Sequence, residues 1–165
     1  MKKFFVAISI LALGVVSAPV MAISSSQQNA IKNKCSEIKT SLVNLQHEDS
    51  RARVYLGRYY EIILNKFIIP LNLRLVENNA TDTGLMESQS NFSAAREKFV
   101  SDYNIYQQYL EELVAINCVE EPVKFYEKLE STRNKRKIVS QDVVKLDTLV
   151  GKQINLVKAL EEKTK

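Results

Sequence analysis

The chain has 165 residues, with 23 Lys and Arg against 19 Asp and Glu, and carries one His, two Cys, four Gly and three Pro. One imidazole and two thiols, His47, Cys35 and Cys118, do not stand at the spacing of a zinc site, which takes three or four N or S ligands, so no metal is expected. No Gly-rich phosphate loop or nucleophile elbow occurs either, so no cofactor is expected. An all-β domain needs turn residues every ten or so positions; so little Gly and Pro excludes it and favours long helices.

The N-terminus resembles an export leader. Lys2 and Lys3 precede the uncharged apolar run Phe4 to Val16, and small residues follow up to Ala22. The run is shorter than the ~20 residues of a membrane-spanning helix. Cleavage is expected after Ala22, because cutting after Ala18 would leave Pro19 at the new N-terminus. Residues 1–22 are then a signal peptide and 23–165 a single helical domain, exported to the periplasm, the cell surface or beyond. Loss of Lys2 and Lys3 halves the formal charge of +4. No other apolar stretch is long enough for a transmembrane span in the mature chain.

Three stretches with helical period follow. In the first, Ile31, Cys35, Ile38, Leu42 and Leu45 step by three and four, as in a coiled-coil seam. The stripe passes through Asp49 and is expected to resume at Ala52, Leu56, Tyr59 and Ile63. Pro70 should kink this helix. Glu77 to Gly84 (ENNATDTG) is the clearest loop. The second stripe is Phe92, Ala95, Phe99, Tyr103, Tyr106, Leu110 and Leu113. Pro122 signals the third start. That stretch carries Val123, Tyr126 and Leu129, a polar middle from Ser131 to Lys137, then Val139, Val143, Leu146, Val150, Ile154, Val157 and Leu160.

The two cysteines of an exported chain are expected to pair, Cys35 with Cys118. That bond discriminates between two bundles. If the chain turned back at Gln46–Ser50, giving a four-helix up-down bundle, the cysteines would lie ~28 Å apart along the axis. If residues 26–76 form one long kinked helix, the second helix returns antiparallel and brings them within ~12 Å. Disulfide Cα atoms lie within about 7 Å, so an elongated antiparallel three-helix bundle is expected, with the four-helix bundle as the alternative.

Acidic doublets such as Glu111-Glu112 point about 100° apart on a helix and cannot act as paired catalytic carboxylates, and His47 has no partner for nucleophilic chemistry. In the hairpin register Tyr55 and Tyr59 fall opposite Tyr106 and Tyr103. They would form a tyrosine layer flanked by Arg51 and Arg58, suited to core packing or to anchoring an interface. Lys124, Lys128, Arg133, Lys135, Arg136 and Lys137 stand against Glu127 and Glu130 alone, which concentrates the positive field in the third stretch. Arg133, Lys135, Arg136 and Lys137 are its core and the expected site for an anionic partner.

These features suggest an exported, non-enzymatic helical interaction or scaffold protein. Its partner would be another protein, an anionic envelope polymer or a membrane surface; the leader argues against nucleic acid. A periplasmic holdase-type chaperone is the alternative. A small secreted all-helical enzyme binding an anionic substrate through Arg51, Arg58, Arg74 and Arg96 is a third. An enzyme should present a concave pocket of converging Arg and Tyr, a chaperone an enclosed cavity or apolar patch, and a scaffold smooth polar faces.

Overall fold

The structure, a computed structural model, describes residues 23–163; the leader expected over 1–22 lies outside the described residues. Those residues form an all-α bundle in the order α1 (Ser25–Asn33), α2 (Cys35–Ile62), a π-helical segment (Ile63–Ile68), α3 (Ile69–Glu77), α4 (Thr83–Ala115) and α5 (Pro122–Lys163). No described helix is long and apolar enough to cross a membrane. The chain does not turn back at Gln46–Ser50, because α2 runs through that stretch. Among the described residues it reverses at 78–82 and 116–121. At 1.5 Å rise per residue the 42-residue α5 is about 63 Å long.

Local chemistry sets the helix ends. Ser24 and Gln27 form a capping box that opens α1: the Ser24 hydroxyl accepts from the Gln27 amide at 3.2 Å, and the Gln27 side chain accepts from the Ser24 amide at 2.9 Å. At the end of α3, Asn79 adopts a left-handed φ of 53°, a conformation Asn tolerates better than most residues. The amides of Asn79 and Ala80 then bond back to Val76 and Leu75, closing the last turn. Asp82 accepts from the Leu85 amide at 2.9 Å, so α4 begins at Thr83 and the loop is shorter than the stretch Glu77 to Gly84. Asn117 bonds the amides of Val119 and Glu120 ahead of Pro122. Pro70 lies in the first turn of α3, directly after the π segment, where the widened helix accommodates a residue with no amide hydrogen.

α5 packs along α4, and α2 packs against α4 while also reaching α5. Cross-bonds fix the register: Lys128 pairs with Glu112 and Lys98 with Asp142, so α4 and α5 are antiparallel. Asp49 meets Arg136 and Tyr60 meets Asp147, so α2 and α5 run in the same direction. Cys35 and Cys118 are disulfide-bonded with Cα atoms 5.7 Å apart, tying the start of α2 to the turn between α4 and α5.

The core falls into two clusters. The one beside the disulfide gathers Ile31, Leu42, Tyr103, Tyr106, Leu110, Leu113, Cys118 and Phe125. The other gathers Tyr60, Leu64, Ile68, Phe92, Ala95, Phe99 and Leu146. The whole second stripe is thus buried. The first stripe departs from expectation after Leu42: Ala52 is exposed and Tyr59 is 42% exposed, while Tyr60 is fully buried. The reason is helical pitch. At ~3.6 residues per turn Tyr60 lies on the same line as Leu42, whereas a 3.5-residue repeat drifts off it. On α5, Phe125 rather than Val123 points inward, and Thr132 continues the buried face by donating its hydroxyl to the Lys128 carbonyl at 2.7 Å. Ile154 and Val157 face outward and Gln153 inward.

Two measurements check this packing. Closing an 83-residue separation contributes about 4–5 kcal/mol in the chain-entropy model, so reduction should lower the urea midpoint markedly. Equal midpoints with and without reductant would contradict it. Leu110→Ala, which empties a fully buried site, is expected to cost ~2–5 kcal/mol. Val54→Ala, at a 63% exposed position, should stay within ~0.5 kcal/mol of the parent.

Candidate functional site

Between Leu42 and Tyr60, α2 contributes no buried apolar residue to the core. The bundle opens there, at the join between the two core clusters, into a cleft of about 440 Å³. α4 supplies its floor through Phe99, Tyr103 and Tyr106. α2 supplies one wall with Asp49, Ala52, Arg53 and Leu56. On the α5 side Arg133, Arg136, Lys137 and Ser140 stand with Val139 and Val143.

One carboxylate organises this cleft. Asp49 accepts from Arg136 Nε at 2.8 Å and Nη2 at 2.9 Å, and from the Tyr106 hydroxyl at 2.6 Å. Its side chain is 16% exposed, whereas that of Arg136 is 52% exposed. Burial opposes ionisation of Asp49, but the hydrogen bonds from Arg136 and Tyr106 outweigh it and hold the carboxyl below its ordinary range. Burial, reinforced by the bond to Asp49, pushes the Tyr106 hydroxyl well above the usual phenol range. The Tyr103 hydroxyl donates to Gln107 Oε1 at 3.1 Å and can accept from the Ser50 hydroxyl at 3.3 Å, and the Arg53 guanidinium sits 5.4 Å from the centre of its ring.

The charges are unevenly satisfied. Asp49 matches Arg136, and Glu130 pairs with Arg133. Arg53 and Lys137 form no ion pair among the described residues. The cleft therefore keeps a surplus of positive charge above an apolar base.

Of the basic patch expected from the sequence, Arg133, Arg136 and Lys137 line the cleft. Lys135 does not: it lies 5.3 Å from the centre of the Tyr109 ring, beside Lys128 at 3.8 Å from the same ring. The four tyrosines do not form one layer. Tyr103 and Tyr106 stack edge to face at 6.0 Å and reach the cleft, whereas Tyr55 is 72% exposed and Tyr59 42% exposed. Tyr55 instead borders a shallow outer depression with His47, Arg51, Val54 and Arg58. Arg96 pairs with Glu61, away from the cleft, so the arginines proposed for an anionic substrate do not converge. Sequence reasoning missed Asp49 and Arg53 as site residues. The signal was their place on the inward line of α2, where a charged residue needs a partner.

Among the described residues no three His, Cys, Asp or Glu side chains group as a metal ion would require. No protein-family model matches the chain, no curated protein is similar to it in sequence, and no solved structure matches its fold.

The Asp49 cluster makes a pH prediction. A depressed carboxyl pKa contributes stability that is full above the ordinary value of ~3.9 and is lost as pH falls through the native value. Discounted for the half-exposed arginine, Asp49→Asn should cost about 1–2 kcal/mol at neutral pH. The difference from the parent should shrink as pH drops below the carboxylate range. A gap that does not change with pH, in melts of both proteins, would show that the ionised carboxylate contributes nothing.

Proposed function

We propose that the chain is an exported helical interaction protein whose working surface is the cleft between α2 and α5, and that its partner is anionic. The observation that carries this is the gathering of Arg53, Arg133, Arg136 and Lys137 around one concavity with a single carboxylate, Asp49, among them. Positive walls facing each other across a partly desolvated groove focus the field on what enters it. Export is supported by the disulfide, a bond that persists in oxidising compartments.

Binding is favoured over catalysis by the state of the titratable groups at the cleft floor. A general acid or base works best with a pKa near the operating pH. Asp49 is pushed down and Tyr106 up, both away from neutrality. Ser140 has no imidazole beside it, since His47 borders the outer depression. The concavity departs from the smooth faces expected of a pure scaffold and gathers Arg and Tyr as an enzyme pocket would, so the preference for binding rests on the titratable groups and the missing imidazole.

The position of Lys135 outside the cleft provides the control. Arg133→Ser with Lys137→Ser should weaken retention on a soluble polyanion such as polyphosphate about tenfold at low ionic strength. Lys135→Ser should change it little, and all three proteins should converge in 1 M salt, where the Debye length is about 3 Å. Equal losses for Lys135→Ser and the cleft variant would reduce the effect to net charge and overturn the site.

A further inference from the structure

We propose that the ligand of this cleft is a single-chain amphiphilic anion, a long-chain carboxylate. Its head would lie at Arg53 and Lys137, and its chain along Leu56, Phe99, Val139 and Val143. This deepens the proposal of an anionic partner and rests on it.

Three observations lead there. The first is charge balance. Arg136 and Arg133 already have carboxylate partners, whereas Arg53 and Lys137 have none among the described residues, which suits one small anionic head. The second is a carboxylate already bound in the cleft: Asp49, held by the Arg136 fork and the Tyr106 hydroxyl, is the kind of group this lining pairs with. The third is the apolar base. Leu56, Val139 and Val143 are half-buried beside the buried Phe99. A sugar or phosphate polymer would leave that surface unmatched, and a polar group pressed against it would lose water without gaining a partner. An alkyl chain removes it from water instead.

The same geometry separates a single amphiphile from a bilayer. Leu56, Val139 and Val143 line the sides and Phe99 the floor of a concavity between α2 and α5, where a flat membrane surface cannot follow but one chain can. The volume of about 440 Å³ falls within the range of small-ligand pockets.

The test is calorimetric titration of the purified protein with saturated carboxylates of increasing length, below their micellar concentrations, alongside butyrate, dodecanol and anionic phospholipid vesicles. Affinity is expected to rise about three- to fourfold per added methylene between octanoate and dodecanoate, following the transfer free energy of a buried CH₂. Butyrate should not bind, and dodecanol should bind at least tenfold more weakly than dodecanoate. Arg53→Gln with Lys137→Gln should lose about tenfold for dodecanoate. Val143→Asn should flatten the chain-length dependence, and it keeps the test decisive if the charge variant folds poorly. Affinity independent of chain length, or a dodecanoate affinity unchanged in both variants, would overturn the proposal. So would vesicles binding where monomeric dodecanoate does not. Salt-sensitive polyphosphate retention without any dodecanoate binding would sink the amphiphile and leave the anionic-partner reading standing. Loss of both would sink the two together.

Discussion

The Cys35–Cys118 bond sets the frame from which the other contacts follow. It pins the first residue of α2 to the turn between α4 and α5, with Cα atoms 5.7 Å apart. From that point α2 and α4 run antiparallel, and each later pairing takes its place at helical rise. Asp49 meets Tyr106, Tyr60 meets Phe99 and Phe92, and Asn72 reaches Leu85 and Gln89. A narrow bundle of long helices has many nearly equivalent registers, because sliding one helix by a turn replaces one apolar contact with another. A covalent tie at one end removes most of them. Partly buried hydrogen bonds from Tyr60 to Asp147 and from Tyr106 to Asp49 disfavour others, since a slipped register would leave each buried phenol without its acceptor.

The cleft follows from what α2 lacks at its centre. Between Leu42 and Tyr60 the inward line carries Asp49 and Arg53, and charged groups there cannot be sealed into the core without large desolvation cost. The two core clusters accordingly close on either side and leave a concavity between them. Within it the charges are arranged so that desolvation is shared: Arg136 and Tyr106 satisfy Asp49, and the Tyr103 ring faces Arg53. Stability and access are balanced at the same residues. Replacing Asp49 and Arg53 with leucines would extend the core and erase the site.

Much of the fold was legible in the sequence, because low Gly and Pro, steps of three and four, and two cysteines all point the same way. Every residue of the second stripe, Phe92 through Leu113, is buried. The first and third stripes were legible only in part. Counting heptads past Leu42 put Tyr59 where Tyr60 belongs, an error of one position that turns a side chain by about 100°. The hydroxyl of Thr132 bonds a carbonyl of its own helix and so enters the core as a nearly apolar group, which composition conceals. The site was legible as charge and illegible as shape. Arg133, Arg136 and Lys137 form a visible cluster, but that they face Arg53 and Asp49 depends on a parallel α2–α5 register set by contacts far apart in sequence.

The π segment adds a reason why that register survives to the far end. From Leu56 the inward residues are Tyr60, Leu64, Ile68 and Asn72, a step of four each time. In a regular α-helix such a line winds away by about 40° per step and would carry Ile68 and Asn72 off the core. Widening the helix over Ile63–Ile68 unwinds it and brings those residues back over α4. Pro70 stands immediately after the widened turn, where a missing amide hydrogen costs least. The widened turn changes the pitch just ahead of the proline, and α2 and α3 both pack along α4. Just ahead of the widened turn Tyr60 packs edge to face on Phe99, whose ring also lines the cleft, so the far core cluster and the site share one aromatic contact.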